Sequence, residues 1–345
     1  MRICQVQPGI LEIKPIGQMG WGAVEKIIRE YKSSFEKLGH EVDIKYLNEV
    51  NQDEYDIIHI HMANLCIEAK NKGIPYIFSL HDHHTEYNGK DSYIFKQNLE
   101  AMKGSIFSIT HAEHLIKYFN DVDKLFYVSH GVNTDFFTPK FKHPLIKKEH
   151  KLLMVANNGI AGNQGIDRKG FRYGIESAKE LDLEITIVGA EANKEFFAIH
   201  KDLLEYNKLT IIDSNPTENE LLEIFQDHNI FLHPSFIEAG HPNLTLLEAC
   251  SCCLPIVGTY KGSNEIVGMS VINEISSENV IKGIKEIIKQ YDILIPFMIQ
   301  YRLQYDWINV CKELIKMYEN VINFQNFVNS EDIKKKYVEI YNKKL

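Results

Sequence analysis

"FLHPSFIEAGHPNLTLLEACSCCLPIVG", residues 231–258, decides how this chain folds. With Ile230, its first residues make the short apolar run "IFLH" (230–233), bounded by Pro234 and read as a strand. "LTLLEACS", entered through Pro242 and Asn243, reads as a helix starting near 243, because Asn caps helices and Pro is tolerated at their entry. "PIVG" (255–258) is the next strand. Between the first strand and the helix lies the polar elbow "PSFIEAGHPN", which carries Glu238, Gly240 and His241.

The same alternation runs outward in both directions. Upstream, strands are predicted at 152–156, 184–189 and 209–213, with helices at 170–181, near 192–204 and at 217–227. The first half repeats the pattern, with strands at 3–7, 42–46, 56–60, 76–80, 106–110 and 125–129. Between the first two of these, Val24, Ile27, Ile28, Tyr31 and Phe35 mark one helical face. Strand–helix alternation of this kind builds parallel sheets, so the expected fold is α/β, two tandem Rossmann-like doubly wound domains facing across a cleft. The expected organisation is a first domain over 1–140 and a Pro- and Lys-containing linker over 141–151. A second domain follows over 152–310, and a helical tail over 311–345 packs back on the first domain or stays solvated.

Length and composition agree with this division. A chain of 345 residues exceeds what one core normally supports, and 44% hydrophobic with 25% charged residues is ordinary for a globular protein. A formal charge of −9 argues against a protein that coats nucleic acid. No run is long enough to span a membrane, and the N-terminus lacks a signal-peptide layout, so the cytoplasm is expected. Six cysteines, three of them crowded in "CSCC" (250–253), form no disulfide framework and no zinc-ligand spacing.

In open α/β sheets, ligands sit beyond the carboxyl ends of the strands. The N–H groups of Asn243, Leu244 and Thr245 at the helix start are an expected anion site, most simply for a phosphate. Glu248, one turn in, is placed to accept a ribose diol, and Glu238 in the loop to face sugar hydroxyls. Taken alone, each reads equally well as a solvated surface residue. Arg168 and Lys169 in "GIDRKGF" (165–171) precede a helix where a diphosphate needs neutralising. Gly20 and Gly22 in "GQMGWGAVE" (17–25) permit close backbone approach to a ligand. His59, His61, His81, Asp82, His83 and His84 cluster at two strand ends, but alternate strand residues point to opposite faces, so no metal site is expected.

The series "GWGAVE", "YDIIHIHMAN", "FSLHD", "SHGVNTDFF", "DRKGF", "EITIVG" and "HPSFIEAGHPNLTLLEACSCCLPIVGT" resembles the retaining glycosyltransferases of family four, over about residues 1–320. That resemblance implies the two-Rossmann-domain type B architecture (GT-B). It implies a nucleotide-sugar co-substrate, a UDP- or GDP-sugar first, held mainly by the C-terminal domain, with no metal or other cofactor. Carried over by position, it gives Lys169 with Arg168 to the diphosphate, Glu248 to the ribose, Glu238 to the transferred sugar, Gly22 to the phosphate from across the cleft, and His81 to the reaction centre. The catalytic set is then His81, Lys169 and Glu238. Gly20, Gly22, Arg168, Lys169, Gly240, His241, Asn243, Leu244, Thr245 and Glu248 bind the donor.

Two departures from the family stand out. Its two glutamates are usually separated by seven residues, whereas nine lie between Glu238 and Glu248, so either the loop bulges or Gly240 takes the first glutamate's place. The arginine that commonly follows the "LLMVA" strand is replaced by "NNG" (157–159), which leaves Arg168 to supply its charge. Sugar-nucleotide epimerases and glycoside phosphorylases share the architecture and are the rival activities, with a non-catalytic sugar binder behind them. The acceptor (glycan, lipid, protein or modified nucleic acid), a peripheral membrane contact and the oligomeric state are not specified by these residues.

Overall fold

The fold was taken from a computed structural model, which describes residues 1–20, 22–81, 84–140, 150–156, 160–161, 166–189, 194–236, 238, 240, 242–263 and 266–329. Strands β1 (Arg2–Val6), β2 (Glu41–Lys45), β3 (Ile57–Ile60), β4 (Ile77–Leu80), β5 (Ser108–Thr110) and β6 (Leu125–Tyr127) form one sheet in the order β2-β1-β3-β4-β5-β6. Every pairing in it is parallel. In the second half, β7 (Lys151–Val155) is followed by a short antiparallel pair, β8 (Ile160–Ala161) and β9 (Ile166–Asp167). Then come β10 (Glu184–Val188), β11 (Leu209–Ile212), β12 (Ile230–His233), β13 (Ile256–Gly258) and β14 (Met269–Val271). The second sheet, also parallel, runs β11-β10-β7-β12-β13-β14. These are two Rossmann-like domains, as the alternation of the sequence predicts.

Each sheet reverses its winding direction once, between β1 and β3 in the first and between β7 and β12 in the second. Loops diverge at such points and leave a crevice at the strands' carboxyl ends. The predicted helices form where expected. Ala23–Lys37 buries Ile27, Ile28, Tyr31 and Phe35 along one face. Glu218–Asp227 starts with a capping box between Thr217 and Glu220, and Leu244–Ser251 is capped by Asn243, whose Oδ1 accepts from Leu246 N at 2.9 Å. Strand β14 was not anticipated: "MSV" is short, has a serine at its centre and lies at the sheet edge, so it carries no apolar run.

The chain connects the domains twice, and the two passages lie side by side. Val132 N donates to Tyr305 O at 2.9 Å, and Trp307 N donates to Val132 O at 3.2 Å. Thr134 donates from both N and Oγ1 to Asp306 Oδ2, at 3.2 and 2.6 Å. Gly131 is required there, because a Cβ would stand 2.7 Å from the Trp307 ring. After the second passage the helix Trp307–Asn329 covers the first sheet. Its Trp307, Cys311, Leu314 and Tyr318 bury against Ile27, Tyr31, Phe35 and Ile3. The linker over 141–149 and the lysine-rich end over 330–345 fall outside the described residues. All six cysteines are buried free thiols. Among the described residues, no helix is long and apolar enough to cross a membrane.

Candidate active site

A cavity of about 340 Å³ lies between the two domains at the carboxyl ends of both sheets. Its lining includes His81, Gly20 and Gly22 from the first domain, and Arg168, Lys169, Glu238, Gly240, Asn243, Leu244, Thr245 and Glu248 from the second. Every catalytic and donor-binding residue expected from the sequence lines it except His241, which lies outside the described residues, as do Asp82 and His83; His59, His61 and His84 do not line it.

The turn before the helix Phe171–Glu180 presents the two cations. Asp167 closes it by accepting from Phe171 N (3.0 Å) and Arg172 N (2.9 Å). Gly170 occupies the left-handed region with φ 71°, and a Cβ there would sit 2.3 Å from Pro234 O. This close approach ties the turn to the elbow. Phe236 N (2.9 Å) and Ser235 Oγ (3.1 Å) both donate to Arg168 O. Arg168 and Lys169 are thereby held buried at the cavity wall.

Lys169 Nζ donates directly to Glu238 Oε1, and His233 Nε2 stands 3.5 Å from the same oxygen. Burial disfavours the Glu238 carboxylate, but Lys169, His233 and Arg168 overcome that effect and hold it well below the usual carboxylate range. Burial lowers the Lys169 ammonium, with Glu238 opposing the shift. The elbow therefore holds a buried ion pair, and the side chain aimed at the lysine is that of Glu238. Gly240 instead backs onto His130, whose Cε1 would be 2.3 Å from a Cβ.

Glu248 has the opposite character. Its carboxyl is buried with Oε2 unpartnered by any protein group, and burial pushes it up to about 7, with Lys26 the main opposing charge. Asn243 caps the helix at Leu246, while the N–H groups of Leu244 and Thr245, in the first turn, have no acceptor within the helix and line the cavity.

On the first-domain side, Gly22 caps Ala23–Lys37 with φ 131°, a conformation open to glycine, and a Cβ would press on Leu11 and Met19. Gly20 meets the opposite domain directly: its missing Cβ would stand 3.2 Å from Asn215 O. His81 belongs to a series of stacked imidazoles, His59, His61, His81, His111 and His130, with successive centroids 4.5, 5.4, 5.0 and 4.2 Å apart. Among the described residues, His81, His111 and His130 are the set that brings three metal-ligating atoms together.

Sequence reasoning missed His130, Lys26 and the loop Ser214–Pro216, all of which line the cavity. It also missed a bridge across the cleft. Arg29 Nη1 and Nη2 donate to the two carboxylate oxygens of Glu218 at 2.8 and 2.7 Å, and Gly17 N donates to Glu218 Oε2 at 3.0 Å. Lys261 Nζ reaches Glu86 from the other side of the cleft at 2.5 Å.

Residues 157–290 match the family model described as glycosyl transferases group 1. The chain is a glycosyltransferase. No curated protein matches the transferase in sequence. Among solved structures, HepE of Anabaena in complex with UDP and glucose superimposes with TM-score 0.66 at 11% identity, over 92% of this chain and 99% of that one. AviGT4, a glycosyltransferase involved in avilamycin A biosynthesis, gives 0.62 at 14% identity over 93% and 98%. WaaG, a glycosyltransferase involved in lipopolysaccharide biosynthesis, gives 0.59 at 13% over 92% and 99%. At such identities the likeness establishes the fold of the transferase, which is GT-B.

Proposed function

We propose that this glycosyltransferase is a retaining enzyme of the family-four type. It moves a sugar from a nucleoside diphosphate sugar to an acceptor without a metal ion, in the cytoplasm. The second domain, 152–310, holds the donor, and the first, 1–140, presents the acceptor. The observation that carries this reading is the interdomain cavity, into which Arg168, Lys169, Glu238, Glu248, the N-terminus of Leu244–Ser251 and His81 converge. The likeness to HepE, solved with UDP and with UDP-glucose, makes UDP-sugars the first donors to test.

In this reading the diphosphate lies over the N–H groups of Leu244 and Thr245 and draws Lys169 away from Glu238. The freed carboxylate then accepts from hydroxyls of the transferred sugar, so the buried ion pair serves as a placeholder for substrate. Glu248 takes the ribose diol. As the sugar–phosphate bond breaks, charge growing on the leaving phosphate meets Lys169, Arg168 and the helix N-terminus, which were oriented before the reaction began. In this reading Glu238 is occupied by hydroxyls of the transferred sugar rather than aimed at its anomeric carbon. That supports front-face transfer, in which the leaving phosphate takes the acceptor's proton.

The test is incubation with a panel of nucleotide sugars, following nucleoside diphosphate release. Release with transfer or slow hydrolysis is expected. Epimer formation would instead identify an epimerase, and binding without turnover a sugar-binding protein.

A further inference from the structure

We propose that His81, His111 and His130 form a binding site for one transition-metal ion that prefers imidazole ligands, Zn²⁺ foremost, and that its occupation shuts the enzyme off. The three histidines follow β4, β5 and β6, which are neighbours in the first sheet, so their side chains gather together, His81 and His130 lining the cavity and His111 buried beside them. The rings stack but also fan. Adjacent planes are tilted by 27° and 24° and centroids are 5.0 and 4.2 Å apart, yet one nitrogen of each ring lies within 4.8 Å of both others.

Outer hydrogen bonds fix which nitrogen of each ring carries its lone pair, the arrangement that orients metal-binding histidines. The Nδ1–H of His111 donates to Val128 O at 2.8 Å, and that of His130 to Pro242 O at 3.1 Å, which leaves the lone pair on Nε2 in both. His61 Nε2–H donates to Gln5 Oε1 at 2.7 Å, so its Nδ1 accepts from His81 Nε2 at 3.1 Å, and the lone pair of His81 is on Nδ1. The Nε2 of His111 is buried with no hydrogen-bond partner, a condition that native interiors resolve with water or an ion. Tetrahedral zinc binds nitrogen at about 2.0–2.1 Å, so closing the set takes ring movements of roughly 1 Å and leaves a fourth position for water or substrate. Coordination would take His81 from the reaction centre. That inhibitory step rests on the role proposed for His81, whereas the site itself does not.

The experiment titrates chelator-stripped full-length protein with Zn²⁺ by calorimetry and with Co²⁺ by its visible absorption. One ion per chain is expected, with no heat from Mg²⁺, which prefers oxygen ligands. His111→Gln and His130→Gln, checked for folding by circular dichroism, should each weaken binding by at least about 100-fold, since losing even an outer-shell partner of a metal ligand costs up to that much. Absence of both the zinc heat and the cobalt band in the wild type, or unchanged affinity in both variants, overturns the site. Zinc that binds without slowing transfer overturns the switch. If no transfer is found with any donor, the titrations still decide the site, and the functional reading alone has failed.

Discussion

Glu248 lines the cavity and is a buried carboxyl with an unpartnered oxygen, which makes its protonation a reporter of what binds there. Burial raises it from 4.5 to about 7. Because the folded value exceeds the unfolded one, this group lowers stability as pH rises from 4.5 towards 7, and the penalty is complete above that. Ribose hydroxyls donate to the carboxylate form. Nucleoside diphosphate affinity should therefore rise as pH increases through about 7, and Glu248→Gln should flatten the profile. A wild-type profile without that step removes Glu248 from the ribose. Glu238→Ala should damage transfer more than nucleoside diphosphate binding, because its carboxylate is released to the sugar only when the donor arrives. Equal losses in the two assays would make Glu238 merely the counter-ion of Lys169. His81→Ala should lower turnover by about 100-fold, within the range for lost proton-transfer or polar contacts at a reaction centre, while donor affinity holds. Unchanged turnover would leave His81 a structural histidine.

At the scale of elements, the turn 167–170 is tied to the start of the elbow, Pro234, Ser235 and Phe236, where Gly170 touches Pro234. Gly170→Ala should lower stability by about 1–3 kcal/mol, from positive-φ strain and the clash, and should also reduce turnover by displacing Lys169. A variant with wild-type melting temperature and rate would show that the two segments are independent. The predicted strands and helices were legible because those strands are short apolar runs and those helices have a capping residue or an apolar face, as with Thr217, Asn243 and Ile27–Phe35. Arg168, Lys169 and Glu248 were legible because position after a strand or at a helix start dictates where a side chain points. The fan of His81, His111 and His130 was not seen in the sequence for a physical reason. Alternation separates residues along one strand, whereas His81, His111 and His130 come from the ends of three adjacent strands, and "SLHD", "SITH" and "VSHG" display that position plainly. Strand β14 and the contact between Glu238 and Lys169 depend on tertiary packing and have no local signature.

At the scale of the molecule, the cleft is bridged by Arg29 and Glu218, residues whose pairing no local pattern announces. Glu218 is almost fully buried, so its removal leaves Arg29 with Glu30 and Lys14 O and takes a hydrogen bond from Gly17. Breaking such a pair typically costs about 3–5 kcal/mol, and here the loss falls on the interface between domains rather than on either core. Glu218→Ala should raise the radius of gyration seen by small-angle scattering and increase the donor KM by about 10-fold, with a small change in melting temperature. A scattering profile identical to wild type would show that other contacts keep the cleft closed.

The two interdomain passages, joined where Val132 meets Tyr305 and Trp307, have a mechanical consequence. A body attached at two neighbouring points on one line keeps essentially one freedom, to swing about that line. Sliding and twisting would both shear the Thr134–Asp306 hydrogen bonds. Opening and closing then follow one coordinate, so probes placed on opposite lips of the cleft should report the same rate.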